Sequence, residues 1–253
     1  MVVNLIDRSR HSCRLSRPDN RDWAYSVRQQ PLREMVDLRE WDGRIEDQKN
    51  LGSCVGHAIA GAYELMLKRN YPGEYQELSS LYVYYNARIN ERLTELDAGA
   101  TIRAGLKSVK DYGICTEEIW PYDPTKFDVR PSVEAYEDGR RRTLENYRRL
   151  YTITEVEQAL NNNRPVVIGM NVYTSFFDLN DKDFTAKLPT NRVTEYYGEH
   201  AVYLVGYDQT KKEFLAKNSF GSEWGLNGYF FMPYDYVKAE VFESWVFDIV
   251  LRT

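Results

Sequence analysis

Cysteine is scarce in this sequence. The 253 residues contain three, Cys13, Cys54 and Cys115, widely separated and odd in number. That excludes a disulfide framework as the organising device and favours a reducing, intracellular setting, either cytoplasmic or reached by export without a classical signal peptide. Long apolar runs are missing as well. No stretch approaches the roughly 18 residues that a membrane span requires. The start, Met1-Val2-Val3-Asn4-Leu5-Ile6-Asp7, has too short an apolar run for a secretory signal. Nor is one sign of charge in large excess: 33 basic residues face 38 acidic ones, for a net charge of -5. Nucleic acid as the main partner calls for a basic surface, so this balance weighs against it. No internal repeat or low-complexity block is visible.

What is present is ordinary for a globular protein: 43% hydrophobic and 28% charged residues, enough for a sizeable core without a metal or disulfide staple. Twenty tyrosines predict an interior that is well packed yet partly polar, because each ring seeks burial and each hydroxyl a partner. Residues 1–35 carry seven arginines (Arg8, Arg10, Arg14, Arg17, Arg21, Arg28 and Arg33) without a clear apolar period, and Pro18-Asp19-Asn20-Arg21-Asp22 reads as turns. They are expected to form an extended arm over a folded body. Arg140-Arg141-Arg142, Arg148 and Arg149 alternate with Glu134, Glu137, Asp138 and Glu145, which reads as a solvated helix face of mixed charge.

The clearest helix begins at Gly52 or Ser53. Val55, Ile59, Ala62 and Met66 recur at helical spacing, and Asn70, Pro72 and Gly73 stop it. Further helices are expected over Ser79–Asn90 and Thr101–Tyr112, the latter closed by Gly113. After Tyr147 the texture changes. A short helix around Glu155–Leu160 leads to runs rich in Val, Ile, Tyr and Phe: 165–172, 200–207, 213–217, 229–232 and 245–251. The chain therefore divides into a helical half and a β-rich half, with a cleft expected between them.

Cys54 falls in the first turn of that first helix. A thiol attacks as thiolate, and a free cysteine, with a pKa of about 8.5, is mostly protonated near neutrality. A helix N-terminus and a nearby histidine both favour the anion. His200, at the start of a strand, is the candidate base, and Asn218, one hairpin away, is placed to orient it. The backbone N–H of Cys54 and the side-chain amide of Gln48 are candidate donors to an oxyanion. Taken singly, each residue also fits a structural role; their order and spacing favour chemistry. Cys54 and His57 also sit three apart on one helix face, but a metal needs further ligands, and His11, Cys13 and Cys115 lie in unrelated places.

Three segments carry a resemblance. Gln48-Lys49-Asn50-Leu51-Gly52-Ser53-Cys54 resembles the nucleophile segment of the papain and cathepsin family of cysteine peptidases. Glu199-His200-Ala201-Val202-Tyr203-Leu204-Val205-Gly206-Tyr207 resembles its histidine strand. Lys217-Asn218-Ser219-Phe220-Gly221-Ser222-Glu223-Trp224-Gly225-Leu226-Asn227-Gly228-Tyr229-Phe230 resembles its asparagine segment. The separation of Cys54 and His200 lies in the family's range of roughly 130–150 residues. Weaker matches over 99–122 extend the similarity from about Val36 to Met232.

The resemblance implies an α+β, papain-like two-lobe fold: a helical lobe over 36–146, a β-rich, barrel-like lobe over 147–253, and a catalytic cleft between them. It implies Cys54 as nucleophile, His200 as acid and base, Asn218 as orienter and Gln48 as oxyanion donor. Gly99, Ala100, Gly198 and Glu199 would line the substrate cleft, and Trp224 would shield the Asn218–His200 contact. No cofactor or metal is implied, and the partners are protein or peptide substrates rather than nucleic acid or membrane. Leu51 stands where the family usually has a disulfide-bonded cysteine, Val55 replaces an aromatic, Phe220 replaces an indole, and Ala100 replaces a second glycine. The activity expected is that of an endopeptidase made as a zymogen, with the arm of residues 1–35 partly covering the cleft and damping activity; the alternative is a purely structural strap. Rival expectations are a non-hydrolytic acyl transferase or deamidase on the same triad, and an inactive binding protein on the same fold.

Overall fold

The computed structural model describes residues 12–20, 22–26, 29–179 and 184–252. Met1 to His11, the start of the expected arm, lie outside these residues, as do Arg21 and Arg28. Helix α1 (Cys54–Asn70) is buried from Cys54 through Leu67. Small residues allow this all-round burial. A Cβ on Gly56 would stand 2.4 Å from the Ser80 carbonyl oxygen, and one on Gly61 would stand 2.7 Å from the Tyr203 ring. The helix is therefore held between two layers, with further helices on one side and a sheet on the other.

Helix α2 (Ser80–Ile89) begins at Ser79, whose hydroxyl accepts from the Tyr82 N–H. Helix α3 (Ile102–Tyr112) is capped in the same way by Thr101 and ends at Gly113, with φ +78°. These caps satisfy backbone donors that the first turn of a helix leaves free. Three shorter helices follow: α4 (Val133–Gly139), α5 (Ile153–Asn161) with a complete capping box between Thr152 and Glu155, and α6 (Tyr234–Glu240).

A two-residue parallel ladder joins β1 (Cys13–Arg14) to β3 (Ala100–Thr101). The other strands form one antiparallel, seven-stranded sheet. These are β2 (Met35–Asp37), β4 (Arg142–Leu150), β5 (Val166–Tyr173), β6 (Tyr196–Asp208), β7 (Glu213–Lys217), β8 (Tyr229–Pro233) and β9 (Val241–Leu251). Their order is β4-β9-β5-β6-β7-β8, with β2 also on β6. Bulges in four of the pairings bend the sheet into a barrel-like, unclosed form. One continuous apolar core runs from the helices into the sheet. The fold is α+β and papain-like. Among the described residues, no helix is long and apolar enough to cross a membrane.

The basic stretch is not a helix face. Arg142–Leu150 is strand β4, paired with β9 from Arg142↔Leu251 to Leu150↔Ser244. Its charges are paired laterally: Arg142 is buried against Asp138, and Arg148 meets Asp248 at 3.1 Å. Four of the strand's nine residues are charged and its burial does not alternate, so the sequence carries no period-two signal there. The boundaries expected at 35/36 and 146/147 both fall inside strands, β2 and β4 respectively.

Candidate active site

Cys54 opens α1 with no exposed surface. Ser53 precedes it without capping the helix; its hydroxyl is shared with Tyr122 at 2.7 Å and His57 Nδ1 at 3.3 Å. The free N–H groups of the first turn, those of Cys54 and Val55, are therefore directed at Sγ. The backbone N–H of Ala201 on β6 reaches Sγ from the sheet, and that of Ser12 reaches it from the arm. Burial outweighs these four donors and pushes the Cys54 thiol up to about 11. Under the arm, the sulfur is held as a neutral thiol.

His200 adjoins Ala201 on β6 and is fully buried. Its Nε2 donates to Asn218 Oδ1 at 2.8 Å. The same oxygen accepts the Ser219 N–H at 2.8 Å. That backbone donor fixes which end of the Asn218 amide faces the ring, and so makes Nε2 the protonated nitrogen. Asn218 directly follows β7, where Lys217 pairs with Tyr203 of β6. Lys217 itself is anchored in the interior. It meets Asp42 at 3.1 Å, and Asp42 also accepts from Tyr203 and Tyr229 at 2.6 and 2.8 Å.

Gln48 lies beside the same segment, with no exposed surface. Its Oε1 accepts from the Ser219 hydroxyl at 2.6 Å, its backbone N–H reaches the Ser219 carbonyl at 2.9 Å, and its Nε2 donates to the Leu51 carbonyl at 2.9 Å. That bond uses one of the two Nε2 hydrogens.

Rings cover the histidine. Phe220 is the close neighbour, 4.9 Å centroid to centroid from His200, with Phe176 at 6.3 Å. Trp224 stands behind, 5.6 Å from Phe220 and 5.1 Å from Phe176. Trp224 is thus one ring removed from His200, with Phe220 and Phe176 between them. Phe220 was recognised in the sequence as a departure; Phe176, Asp42 and Ser219 were not singled out. Ser219 could have been, since it adjoins Asn218. Phe176 and Asp42 carry no local signal of their role. His57, the other helix histidine, bonds Ser80 Oγ at 3.2 Å and the Ser53 carbonyl at 3.1 Å. Among the described residues, no group of three or more His, Cys, Asp or Glu gathers as for a metal ion.

Gly99, Ala100 and Glu199 meet the arm. The Ala100 N–H donates to the Ser12 carbonyl at 3.2 Å, and Ser12 bridges to Glu199 on its other side. The Ser12 hydroxyl donates to the Gly52 carbonyl at 3.1 Å. At Gly99, with φ +67°, a Cβ would stand 1.7 Å from the Ser12 carbonyl oxygen. Gly198 lies next to Glu199 at the start of β6, paired with Val172. Beyond the cleft, Arg14 pairs with Glu91, Ser16 Oγ donates to Glu243 at 3.2 Å, and Arg103 Nε donates to Asp22 at 2.8 Å.

Comparison with known proteins agrees with this arrangement. The papain family cysteine protease profile matches residues 32–246. The chain is 39% identical over 233 residues to the uncharacterized peptidase C1-like protein L477 of Acanthamoeba polyphaga mimivirus, covering 87% of this chain and 74% of that one. It is 28% identical over 193 residues to cathepsin K of Gallus gallus, spanning 73% of this chain and 53% of that relative's length. Xylellain, a cysteine protease from Xylella fastidiosa, superposes over 100% of both chains with a TM-score of 0.89 and 30% identity. With the profile running through the Cys54, His200 and Asn218 segments alike, the chain belongs to the papain family of cysteine proteases.

Proposed function

We propose that Cys54, His200 and Asn218 act as one catalytic triad that hydrolyses peptide bonds through a thioester. The observation that carries this reading is the 2.8 Å bond from His200 Nε2 to Asn218 Oδ1, on an oxygen already fixed by the Ser219 N–H. It commits the ring's far nitrogen, so Nδ1 is the one that exchanges a proton with Cys54. The Cys54 sulfur attacks the scissile carbonyl as His200 takes the thiol proton. His200 then protonates the departing amine and afterwards activates the water that cleaves the thioester. The Cys54 N–H and the side-chain amide of Gln48 hold the oxyanion. Phe220, with Trp224 and Phe176 behind it, keeps water from the His200–Asn218 bond. The carbonyl of Gly99, the N–H of Ala100, and Gly198 and Glu199 border the substrate chain. No metal or cofactor takes part in this scheme, and the substrate is protein or peptide, cut as by an endopeptidase.

The arm is part of the same proposal. Ser12 occupies backbone groups on both walls of the cleft and presents to Cys54 an N–H rather than a carbonyl carbon, so the arm blocks the site without being a substrate for it. Residues 12–26 act as a built-in inhibitor of a zymogen. The three unpaired thiols support a reducing compartment as the place of action.

The test is hydrolysis of a fluorogenic peptide by the full chain and by Ser16→Ala/Asp22→Ala, which removes two anchors of the arm. Higher turnover in the double variant, lost on adding Cys54→Ala, is expected. Equal rates with and without Cys54 would reject the peptidase reading. Equal rates with and without the anchors would reject only the inhibitory arm. Mass spectrometry in the presence of an added amine separates hydrolysis from acyl transfer.

A further inference from the structure

Two of the three cysteines meet at the cleft. On the sheet face beside the nucleophile, Ala201 of β6 is in register with Gly169 of β5. The Cys54 sulfur is met by the Ala201 N–H. The Cys13 sulfur lies over Gly169, 3.2 Å from where a Cβ would stand. Gly169 and Ala201 are directly opposed residues of neighbouring antiparallel strands, so the two thiols approach the same stretch of sheet. The backbone brings them together from the other side as well: Ser12, the residue before Cys13, donates its N–H to the Cys54 sulfur. Both side chains are 0% exposed. A disulfide needs Cβ atoms about 3.5–4.5 Å apart, and only two residues of ladder, Cys13↔Ala100 and Arg14↔Thr101, hold the arm strand here. Burial raises the Cys13 thiol, and so does the nearby sulfur of Cys54, as expected of two like groups sharing one pocket. The third thiol is elsewhere: Cys115 is buried in a separate cluster with Tyr82 and Ala135.

We propose that Cys13 is the resolving thiol of Cys54, so that a hydroperoxide turns the arm from a non-covalent cover into a disulfide-bonded, reductant-reversible one. The inference rests on the reading of Cys54 as the nucleophile. When the arm lifts, the Cys54 thiolate attacks the hydroperoxide oxygen, breaking the O–O bond; the sulfur becomes a sulfenic acid, and the other oxygen leaves as water or an alcohol. As the arm reseats, the Cys13 sulfur attacks the sulfenic sulfur. The S–S bond forms, the S–O bond breaks, and hydroxide leaves with the Cys13 proton as water. Two thiols and one hydroperoxide give one disulfide, with hydrogen peroxide as oxidant yielding two waters. The linked form is held inactive yet spared further oxidation, and a dithiol restores both thiols.

The full chain is titrated with hydrogen peroxide, alkylated, digested without reductant and mapped by mass spectrometry. Oxidation of Met35, which is 63% exposed, marks an effective dose. The expected product is a Cys13–Cys54 linked peptide, two hydrogens lighter than the sum of its parts and abolished by dithiothreitol, with Cys115 still free. In Cys13→Ser, Cys54 should instead proceed to sulfinic and sulfonic acid, which dithiothreitol does not reverse. The proposal is overturned if, at doses that oxidise Met35, the parent shows Cys54 as sulfinic acid or as free thiol with Cys13 still alkylatable. Because this readout is covalent, it stands apart from the peptidase assay: a linked peptide in the parent, with no turnover even in Ser16→Ala/Asp22→Ala, would sink the proposed activity and leave the latch.

Discussion

Each proposed catalytic side chain is held by a neighbour that has no part in the chemistry. Ser219 is the clearest case. Its N–H fixes Asn218, its hydroxyl holds Gln48 Oε1, and its carbonyl takes the Gln48 N–H, so the orienting and oxyanion residues share one anchor. Gln48→Ala removes a single donor and is expected to lower kcat by about a hundredfold to a thousandfold, with little change in KM, as steady-state kinetics on the arm-loosened chain would show. An unchanged kcat would leave oxyanion stabilisation to the Cys54 N–H alone. At Gly99 the constraint is steric. A methyl group there meets the Ser12 carbonyl, and the left-handed backbone itself costs a non-glycine residue about 1–3 kcal/mol. Gly99→Ala should therefore unseat the arm and accelerate alkylation of Cys54 by iodoacetamide, whereas slower alkylation would mean that the arm accommodates the methyl.

Element by element, the sequence was most legible where periodicity and caps agree. Helices α1, α2 and α3 start and stop within a residue or two of expectation, because Ser79, Thr101 and Gly113 are caps whose chemistry is local. Strand β4 was misread because Arg142, Glu145, Arg148 and Arg149 make it read as a solvated face, and its burial shows no simple alternation to betray a strand. Strands β1 and β3 were invisible for a different reason. A two-residue parallel ladder between the arm and Ala100 joins segments far apart in the sequence, and nothing in either segment announces it. The family was legible because the segments carrying Cys54, His200 and Asn218 are long and ordered. Asp42 and Phe176 were not, since a single buried residue in or beside one short 3-10 turn has no pattern.

The α1–α2 contact also makes a prediction about pH. Glu64 of α1 is buried and accepts the Leu78 N–H at 2.7 Å ahead of α2. Burial, with Glu46 nearby, holds its carboxyl well above the ordinary value of 4.5. A folded-state pKa raised in this way contributes stability in full below the unfolded value, and that contribution is lost as pH rises through the folded one. Glu64→Gln keeps an acceptor and removes the titration. Urea unfolding should show the variant gaining on the parent between pH 4 and pH 8; a constant difference over that range would mean that Glu64 is ionised in the fold.

At the scale of the whole molecule, the central feature is a cleft closed by the chain's own N-terminal segment. The arm crosses from the helices to the sheet, fastened at Ser12, Arg14, Ser16 and Asp22, then runs beside β4, where the Tyr25 N–H reaches the Arg149 carbonyl at 2.8 Å. Burial raises the Cys54 thiol, and this segment is part of what covers it. In the intact chain the rate of alkylation should climb with pH towards a midpoint of about 11. In Ser16→Ala/Asp22→Ala the midpoint should fall, because the four N–H donors lose one member while the desolvation that outweighed them is relieved. Coincident pH profiles would show that the arm does not control the thiol.

The most direct measurement of the account is covalent labelling by an epoxide-type thiol inhibitor, read by peptide mass spectrometry in the parent, the arm-loosened variant, and that variant carrying His200→Ala. The account predicts one adduct, on Cys54, formed faster when the arm is loosened and nearly lost without His200. Labelling that ignores His200, or that falls equally on Cys13 and Cys115, would contradict it.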